Sequence, residues 1–551
     1  MQNDSFFMVD EHKHDICVIG AGAAGIIFVL EFAKLNPEQK IILVEYGRKS
    51  DTITNDLDDS IQIKNTVNHH LPYECTNKGL GGSTASWGGR CVMYDEVDFI
   101  ERPILNGGCT WDLSLYDEIL NYVDKTSYYF ESGDSCFNLN EIEEFRSKRI
   151  ANNFESGDVT DSVIERWSMP TRFRERYEDE LRLIKNLTIL EGFETSKILR
   201  DDRSKLVNGI VIVNRDTNAE TVIKAQKYIL SAGTQETTRI LLRNKAIFDV
   251  VPQSLGKFYQ GHLSGKIATV KFWGNPKKTE FGFLKQGEVF IRRRFQFSKE
   301  YLVNNNLLNT AIWLDNPLYF DPSHNSGAMS LMYLAMITPI LGKKLAPPAI
   351  AYSITKGKIN KIGSHLWNIL KGFPKSISIP FTTFYQRYFL IRKLPGVFLY
   401  SPENNYALHF HAEQIPDKSN VMKIDEDGKT LIIDYNLLDS DIESVIKLHE
   451  KLDNTLKESN CGELIYWFPK DELTRAIREM SKDGIHQSGT TRISKTVEEG
   501  VVDYNLKVFG LDNLYVCSSS VFPTSGQANP TFLLGAFAIR LAKHLSNNEK
   551  D

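Results

Sequence analysis

The sequence lacks the features that mark several large classes of protein. No segment of the 551 residues reaches the roughly 18 uninterrupted apolar side chains of a membrane span, which argues against a polytopic membrane protein. The seven cysteines are scattered and form no Cys-x-x-Cys pair, so neither a disulfide framework nor a structural zinc site is expected. The formal net charge is only −5, and nothing in the composition favours nucleic acid as a partner.

The amino-terminal residues lack an apolar stretch long enough for a secretory signal. Residues 1–15 carry five charged side chains, and the first strand is predicted to begin near His14. The most apolar segment, 325–342, is uncharged but holds several polar side chains, so we read it as buried or interfacial rather than spanning. The expected location is the cytoplasm, with the inner face of the membrane as the alternative.

A glycine-rich turn follows the first predicted strand. The nearly all-apolar run 15–19 leads into Gly20-Ala-Gly22-Ala-Ala-Gly25 and an apolar helix pattern, and a second apolar run, 41–44, is followed by Glu45. Gly20 would allow the tight turn, Gly22 a close approach of backbone to a diphosphate, and Gly25 close packing of helix on strand. Glu45 would accept hydrogen bonds from an adenosine ribose. The motif predicts a dinucleotide site that disfavours NADP, but alone it does not separate FAD from NAD.

Further segments bear on that choice. Residues 79–90, Gly-Leu-Gly-Gly-Ser-Thr-Ala-Ser-Trp-Gly-Gly-Arg, contain five glycines, which would permit a second close approach of backbone to a flavin. Residues 521–532, Val-Phe-Pro-Thr-Ser-Gly-Gln-Ala-Asn-Pro-Thr-Phe, lead into an apolar helix whose amino terminus can face the flavin pyrimidine. Between them lie the segments 231–242, 413–421 and 486–492, the last reading His-Gln-Ser-Gly-Thr-Thr-Arg.

With these motifs in this order, the chain resembles the glucose–methanol–choline (GMC) family of FAD-dependent oxidoreductases. Its local sequence is closest to the pyranose-oxidase-like and bacterial sugar-modifying members. The resemblance implies an α/β fold, with a Rossmann-like FAD-binding domain of parallel sheet and helices. It also implies a substrate domain with helices and a large, mainly antiparallel sheet. The FAD-binding domain would be assembled discontinuously from 12–100, 185–262 and 484–551, and the substrate domain from 101–184 and 263–483.

The implied cofactor is FAD. Ser86 stands where some family members carry a histidine linked to the flavin, so we expect non-covalent FAD. Ser518 stands where many relatives carry an acid, which weakens the assignment at that position. The residues implied to hold the cofactor are Gly20, Gly22, Ala24, Gly25, Glu45, Gly81, Gly82, Ser83, Trp87, Gly88, Gly89, Thr195, Ala232, Gly233, Ser518, Ser519, Pro530 and Thr531.

The resemblance also implies the catalytic residues. His486 would be the base that takes the alcohol proton, since histidine titrates near neutrality, and Asn529 would hydrogen-bond the same oxygen. His409, His411 and Glu413 share one face if their segment is extended, so they could line the substrate side or form a solvated strand face. None of these residues is proposed as a metal ligand, and no metal is expected.

The expected reaction is oxidation of a CH–OH group in a sugar, glycoside or other alcohol, by a dehydrogenase or oxidase. The expected partners are the small-molecule alcohol and an electron acceptor such as oxygen or a quinone, without nucleic acid. Two other functions stay open: a non-oxidative lyase or light-driven decarboxylase type of activity, and a flavin-binding subunit that has lost its chemistry. The sequence identifies neither the substrate nor the oligomeric state.

The segment 322–402 contains no Asp or Glu, although the chain has 70 acidic residues. It holds ten Lys or Arg with aromatic side chains interleaved. Its apolar residues repeat at the spacing of one helix face, at Ile359, Ile362, Leu366, Ile369 and Phe373. Three interpretations stay open: a cover for the substrate domain's own core, a site for an anionic sugar, and a membrane-surface element that would suit a lipid-linked substrate or a quinone.

Overall fold

A computed structural model of the chain describes residues 14–49, 60–146, 149–201, 203–338, 355, 359–396 and 398–547. The strands are β1 (His14–Ile19), β2 (Ile41–Glu45), β3 (Ile61–Ile63), β4 (Arg90–Cys91), β5 (Val159–Thr160), β6 (Ile164–Trp167), β7 (Leu187–Glu191), β8 (Phe193–Arg200), β9 (Val207–Asn214), β10 (Glu220–Ile223), β11 (Ala225–Leu230), β12 (His262–Phe272), β13 (Phe283–Gln286), β14 (Val289–Arg293), β15 (Phe295–Phe297), β16 (Thr310–Asp315), β17 (Asn405–Glu413), β18 (Val421–Ile424), β19 (Leu431–Asp434), β20 (Gly462–Tyr466) and β21 (Leu514–Val516). The α-helices are α1 (Ala23–Leu35), α2 (Pro72–Cys75), α3 (Leu113–Leu120), α4 (Val123–Phe130), α5 (Phe173–Arg182), α6 (Gly233–Arg243), α7 (Lys299–Asn304), α8 (Gly327–Ile337), α9 (Ile362–Lys371), α10 (Lys375–Tyr388), α11 (Asp439–Glu458), α12 (Leu473–Met480) and α13 (Pro530–Asn547).

A five-stranded parallel sheet forms the first layer. Its order is β21-β11-β1-β2-β7, and every neighbouring pair runs parallel. All five residues of β2 are buried, as are the last four of β1, because helices cover the sheet and apolar side chains are favoured along the whole strand. α1 packs against α13, so the first and last long helices of the chain share one core.

A six-stranded antiparallel sheet forms the second large layer. Its order is β20-β12-β17-β16-β15-β5. The register pairs Ser264 of β12 with His411 of β17, and Trp313 of β16 with His409. Since directly paired residues point to the same face of a sheet, this register gathers polar and aromatic side chains near the end of β17.

The smaller sheets are β10-β9-β8, β13-β14-β6-β4 and β18-β19-β3. Together with the parallel layer and the large antiparallel layer, they confirm the predicted α/β fold class. The strands of the parallel sheet come from three stretches of chain, 14–45, 187–230 and 514–516. The domain boundaries given above stay predictions.

No helix within the described residues is both long and apolar enough to cross a bilayer. The most apolar predicted segment, 325–342, contains α8, which spans 11 residues. Its last residues, 339–342, lie outside the described part of the chain.

Candidate active site

The first glycine-rich turn lies at the carboxyl end of β1, where α1 begins. Gly20 has a φ of 99°, and a Cβ on it would lie 2.5 Å from the Cα of Ala232. A Cβ on Gly25 would lie 2.1 Å from the carbonyl oxygen of Gly20, so both positions require glycine. A Cβ on Gly22 would meet no described atom within 4 Å, which leaves its backbone approachable from the side of the α1 amino terminus.

Glu45, at the end of β2, connects the two glycine-rich segments. Its Oε2 accepts a hydrogen bond from the backbone N–H of Ala21 at 2.8 Å. Its Oε1 accepts from the backbone N–H groups of Gly47 and Gly79 at 2.9 and 2.8 Å. These three bonds occupy most of the carboxylate's acceptor capacity. The structure therefore gives Glu45 a second task, holding the loops together, besides the ribose contact expected from the sequence.

The second glycine-rich segment packs directly on the first. The N–H of Gly81 donates to the carbonyl of Ala21 at 2.7 Å, and a Cβ on Gly82 would lie 3.0 Å from the Cα of Gly22. Trp87 is fixed through its ring nitrogen, which donates to the carbonyl of Thr171 at 2.9 Å. The predicted cofactor residues of the two glycine-rich segments thus lie in adjoining parts of the structure: Ala24 is in the first turn of α1, Ser83 in the 3-10 helix Gly82–Ala85, and Gly88 and Gly89 in the residues before β4.

The carboxy-terminal cofactor candidates meet the same region through α6. Ala232 and Gly233 begin α6, and the hydroxyl of Thr234 lies 3.1 Å from that of Ser519. The hydroxyl of Ser518 accepts from the backbone N–H of Ser520 at 3.3 Å and so starts the 3-10 helix Ser519–Val521. Pro530 and Thr531 are the first residues of α13.

Thr195 lies on β8, outside the parallel sheet. Its hydroxyl is buried and has no hydrogen-bond partner among the described residues. A buried hydroxyl without a partner is unfavourable, which is consistent with a polar ligand group at this position. The glycine turns and the helix amino termini fit the diphosphate of a dinucleotide such as FAD.

His486 lies in the loop after α12, and Asp483 holds it. His486 Nδ1 lies 3.3 Å from Asp483 Oδ2. Asp483 Oδ1 accepts from the backbone N–H groups of Gly484, Ile485 and His486 at 2.7, 2.8 and 3.1 Å, so one carboxylate fixes both the loop and the ring. In the tautomer whose Nδ1–H donates to Asp483, the lone pair of Nε2 is left to accept a proton.

Asp483 remains ionised despite its burial. Burial raises the pKa of Asp483, but the adjacent His486 and the hydrogen bond with His262 outweigh it, so the pKa lies well below its usual range. Asp483 Oδ2 also accepts from the backbone N–H of His262 at 2.6 Å. A permanent negative charge therefore lies behind the His486 ring and stabilises its protonated form.

Three imidazoles meet at this point. The ring of His486 lies 5.0 Å from that of His262 and 5.1 Å from that of His411, centre to centre. Their nearest ring nitrogens all lie within 4.8 Å of one another. Burial lowers the pKa values of His262 and His411, so both rings are neutral at pH 7. His411 Nδ1 lies 2.7 Å from the carbonyl of Gln527, which leaves its Nε2 lone pair facing the cluster.

Arg90 connects Asn529 to this cluster. Its Nη1 donates to Asn529 Oδ1 at 3.2 Å, and its guanidinium lies 4.4 Å from the centre of the Trp313 ring. Trp313 in turn lies 6.1 Å from His411, centre to centre. The two predicted catalytic residues, His486 and Asn529, are thus joined by an unbroken series of contacts. Because Oδ1 of Asn529 accepts from Arg90, its amide N–H groups are left to donate to a substrate oxygen.

Arginines and carboxylates lie together around Asn529. Glu165 accepts from Arg90 Nε at 2.6 Å and also pairs with Arg292, while Arg294 donates to the side chain of Gln527. Burial lowers the pKa of Arg90 to about 10, with Glu165 opposing the change, so Arg90 stays charged at neutral pH. Asp95, which accepts from Gln527 at 2.8 Å, is a second carboxylate beside Arg294. Arg90 is the charged group bonded to Asn529, and its positive charge favours negative charge on an oxygen held by Asn529.

The remaining substrate-side candidates have other partners. His409 Nε2 lies 2.8 Å from the hydroxyl of Ser264, and its ring stacks on Trp313 at 4.6 Å. Burial is the largest cause that lowers the pKa of His409, to about 3, and the positive charge of Lys266 is the next. Both carboxylate oxygens of Glu413 accept from Arg102 at 2.8 Å, and the pair is fully buried. His409 therefore borders the site, whereas Glu413 supports the sheet.

The sequence motifs did not reveal Asp483, His262 or Arg90 as site residues. Arg90 ends the 79–90 segment, so its place beside a glycine-rich loop was a usable signal. Asp483 precedes His486 by three residues, the spacing at which a side chain can bond the backbone of its own turn. His262 has no local motif, and only the register of β12 against β17 brings it to His411.

The fold and the site combine a glycine turn of the dinucleotide-binding type with an imidazole-rich centre. Residues 416–538, which include His486 and Asn529, match the GMC oxidoreductase family model. This region is therefore a GMC oxidoreductase domain, and the family resemblance predicted from the motifs is confirmed. No curated protein matches the chain in sequence.

Solved structures with the same fold include pyridoxine 4-oxidase from Mesorbium loti, with a TM-score of 0.55 and 15% identity. That match covers 97% of this chain and 99% of the other. A fungal aryl-alcohol oxidase has a TM-score of 0.54 and 12% identity, covering 98% and 100% of the two chains. An FAD-dependent oxidoreductase from Chaetomium thermophilum has a TM-score of 0.54 and 14% identity, with the same coverage. At these identities the likeness is one of fold.

Proposed function

We propose that the chain is an FAD-dependent oxidoreductase that oxidises a CH–OH group, with His486 as the base. The observation that carries the proposal is the pairing of His486 with the ionised Asp483, in one site with Asn529. The match of residues 416–538 to the GMC oxidoreductase model supports it. The sugar or glycoside substrate rests on the sequence motifs, while aryl-alcohol oxidase among the structural neighbours supports an alcohol more generally.

The cofactor is FAD, held without a covalent bond by the two glycine-rich loops and the amino termini of α1 and α13. FAD, when bound, supplies the acceptor for the hydride that leaves the carbon of the alcohol. The chain's own residues would contribute in three ways: they bind the dinucleotide, orient the alcohol, and accept its proton.

The proton of the alcohol would pass to Nε2 of His486. Its Nδ1 faces Asp483, whose negative charge stabilises the imidazolium that forms. The neutral His411 presents its Nε2 lone pair to the same space and would accept a hydrogen bond from a neighbouring hydroxyl of the substrate.

Asn529 would orient the same oxygen. Its amide N–H groups are directed by the bond from Arg90 to its carbonyl oxygen, and a carboxamide does not take up a proton at neutral pH. The positive charge of Arg90, which is bonded to Asn529, would stabilise the oxygen as its proton leaves. The roles of His486 and Asn529 are therefore different: the first accepts a proton and the second positions the substrate.

An anaerobic screen of alcohols, sugars and glycosides against the purified holoprotein tests the proposal, followed by the flavin absorbance. We expect a substrate to bleach the flavin, and His486→Ala to slow that bleaching by about 10²–10⁴-fold while FAD stays bound. His70→Ala is the matched control, because His70 is a partly exposed histidine whose ring lies 3.3 Å from Glu74, outside the cluster. A rate for His486→Ala within about threefold of wild type would remove His486 from the chemistry.

The oxidative proposal is distinguished from a lyase or light-driven activity by the same experiment. If no alcohol bleaches the flavin anaerobically in the dark, the oxidative proposal fails. Where a substrate does bleach the flavin, oxygen and a quinone are added separately. The one that restores the flavin absorbance is the electron acceptor.

A further inference from the structure

Residues 316–404 connect β16 to β17 and carry α8, α9 and α10. Both α9 and α10 pack against α8. We call the part from 359 to 391 the helical platform. The connection leaves the antiparallel sheet after β16, which carries Trp313, and rejoins it at β17, which carries His409. Just after the platform, Arg392 donates to the carbonyl of Ser168 at 3.2 Å, in the neighbourhood of the second glycine-rich loop.

The first helix of the platform has its polar face inside and its apolar face outside. His365 and Asn368 of α9 are buried and bonded: His365 Nδ1 lies 3.0 Å from the hydroxyl of Ser330, and Asn368 donates to the carbonyl of Pro322 at 2.8 Å. In contrast, Ile362, Leu366 and Leu370 are 45%, 50% and 70% exposed. A surface helix of a soluble domain normally has the opposite arrangement.

Apolar exposure continues through α10, where Ser376 is the only buried side chain among its described residues and donates to the carbonyl of Ile369 at 2.9 Å. Phe381 and Ile391 are 71% and 90% exposed. Of the 29 exposed large hydrophobic side chains among the described residues, 14 lie between 359 and 391. The members of this apolar surface are Ile359, Ile362, Leu366, Trp367, Leu370, Phe373, Ile377, Ile379, Phe381, Phe384, Tyr385, Phe389, Leu390 and Ile391.

The charges that border this apolar surface are of one sign. Lys361, Lys371, Lys375 and Lys393 are exposed, and none of them forms an ion pair with a described carboxylate. No acidic residue occurs between Asp321 and Glu403 in the sequence. Lysine side chains at the margin of an apolar surface can extend their charged ends to a polar layer while their stems stay in contact with apolar groups.

From these observations we infer that the helical platform docks on an anionic lipid bilayer. A bilayer surface offers acyl chains to the exposed Leu, Ile and Phe side chains and negative headgroups to the lysines. Trp367 and Tyr385 suit the boundary between the acyl chains and the headgroups, where tryptophan and tyrosine are enriched. Contact with lipid explains the orientation of α9. Its apolar side chains face outward because they meet acyl chains, and its polar side chains are buried on the opposite face. This inference goes beyond the proposed function and does not depend on the chemistry at His486.

Flotation of the holoprotein with vesicles tests the inference. The probe is phosphatidylcholine vesicles with and without phosphatidylglycerol, at low and high salt. We expect co-flotation with the phosphatidylglycerol vesicles at low salt, and a loss of about tenfold in partitioning when salt screens the charges. Leu366→Ser/Leu370→Ser and Lys371→Glu/Lys375→Glu should each lower partitioning by about tenfold or more.

Matched controls carry the same changes elsewhere on the surface. Leu183→Ser/Val250→Ser alters two side chains that are 81% and 74% exposed, and Lys185→Glu/Lys245→Glu reverses two exposed charges; neither should change flotation. All variants should keep their FAD and their rate of flavin bleaching by a soluble substrate.

Two results would overturn the inference. One is a wild-type holoprotein that stays at the bottom of the gradient with phosphatidylglycerol vesicles at low salt. The other is a stable dimer in light scattering that the Leu366→Ser/Leu370→Ser variant dissociates, because the apolar surface would then be covered by a second copy of the chain.

Discussion

Asp483 serves two histidines through one oxygen: its Oδ2 lies 3.4 Å from Nδ1 of His262 and 3.3 Å from Nδ1 of His486. The ring of His262 comes from the first residue of β12, whereas His486 comes from the loop after α12. The carboxylate therefore ties the first residue of β12, in the antiparallel sheet, to the loop that carries the proposed base.

Replacing Asp483 with asparagine should impair the proposed base. The new carboxamide would keep an acceptor for the loop N–H groups but would remove the charge that stabilises protonated His486. We expect Asp483→Asn to slow substrate-dependent flavin bleaching by about 10²-fold or more, with a smaller change in KM. The split between kcat and KM separates this effect from a structural one, since loss of the charge slows the chemical step while FAD and substrate still bind. An unchanged kcat would contradict the role given to Asp483.

Arg90→Lys should impair the orientation of Asn529 without removing the positive charge beside Glu165. Lysine lacks the fork that lets one side chain contact both Glu165 and Asn529. We expect kcat/KM to fall by about tenfold, as measured by stopped-flow bleaching over a range of substrate concentrations. Arg292→Lys is the matched control, because Arg292 pairs with Glu165 and makes no described contact with Asn529. Equal losses in the two variants would argue against a specific role for Arg90.

The three-imidazole cluster should make the enzyme sensitive to zinc. His262, His411 and His486 bring ring nitrogens within 4.8 Å of one another, and neutral imidazole is a good zinc ligand. We expect Zn²⁺ to inhibit substrate oxidation by occupying the Nε2 lone pair of His486. EDTA should reverse the inhibition and should leave the untreated enzyme unaffected, in keeping with the expectation of no resident metal. His411→Gln should weaken zinc inhibition by about tenfold, and unchanged inhibition would place the zinc elsewhere.

His449 offers a test of pH-dependent stability away from the site. Burial lowers its pKa to about 4, and its Nδ1 lies 2.8 Å from the carbonyl of Val445. Between pH 6.5 and 4 the unfolded chain binds a proton that the folded chain does not, so the free energy of unfolding should fall as the pH is lowered. The loss should be about 3 kcal/mol across that window, from the 2.5-unit difference in pKa.

His449→Phe removes the titrating group while keeping a ring of similar size. Denaturant unfolding of the holoprotein at pH 7 and pH 5 should therefore show a smaller pH dependence in the variant than in wild type. An identical pH dependence would mean that His449 is already protonated in the folded chain.

The sequence predicted the parallel layer well because its signals are local. The nearly all-apolar run 15–19 and the apolar run 41–44 indicate strands buried on both faces, and Gly20 and Gly25 lie where the structure allows no Cβ. The family resemblance extended this to the second sheet. The grouping of His262 with His486 could not be predicted in the same way, since 223 residues separate them in sequence and only the tertiary fold brings them together.

Two periodic patterns in the sequence correctly predicted which side chains share one face of a strand or helix, but not what that face contacts. Alternation places His409, His411 and Glu413 on one face of β17. The carboxylate of Glu413, however, accepts hydrogen bonds from Arg102, which comes from a distant segment. Helical spacing groups Ile362 and Leu366, yet a spacing alone does not say whether the stripe faces a core or the exterior. The structure places these side chains outside, and that orientation carries the argument for lipid docking.

The parallel sheet also constrains the order of events during synthesis. Its edge strand, β21, pairs with β11, and α1 is covered by α13, about five hundred residues later in the chain. While the ribosome is still translating the middle of the chain, the apolar face of α1 therefore has no native cover, and β11 has one unpaired edge. A nascent chain of this kind should rely on chaperones until its last helix emerges, and early termination should yield insoluble fragments rather than a smaller folded domain.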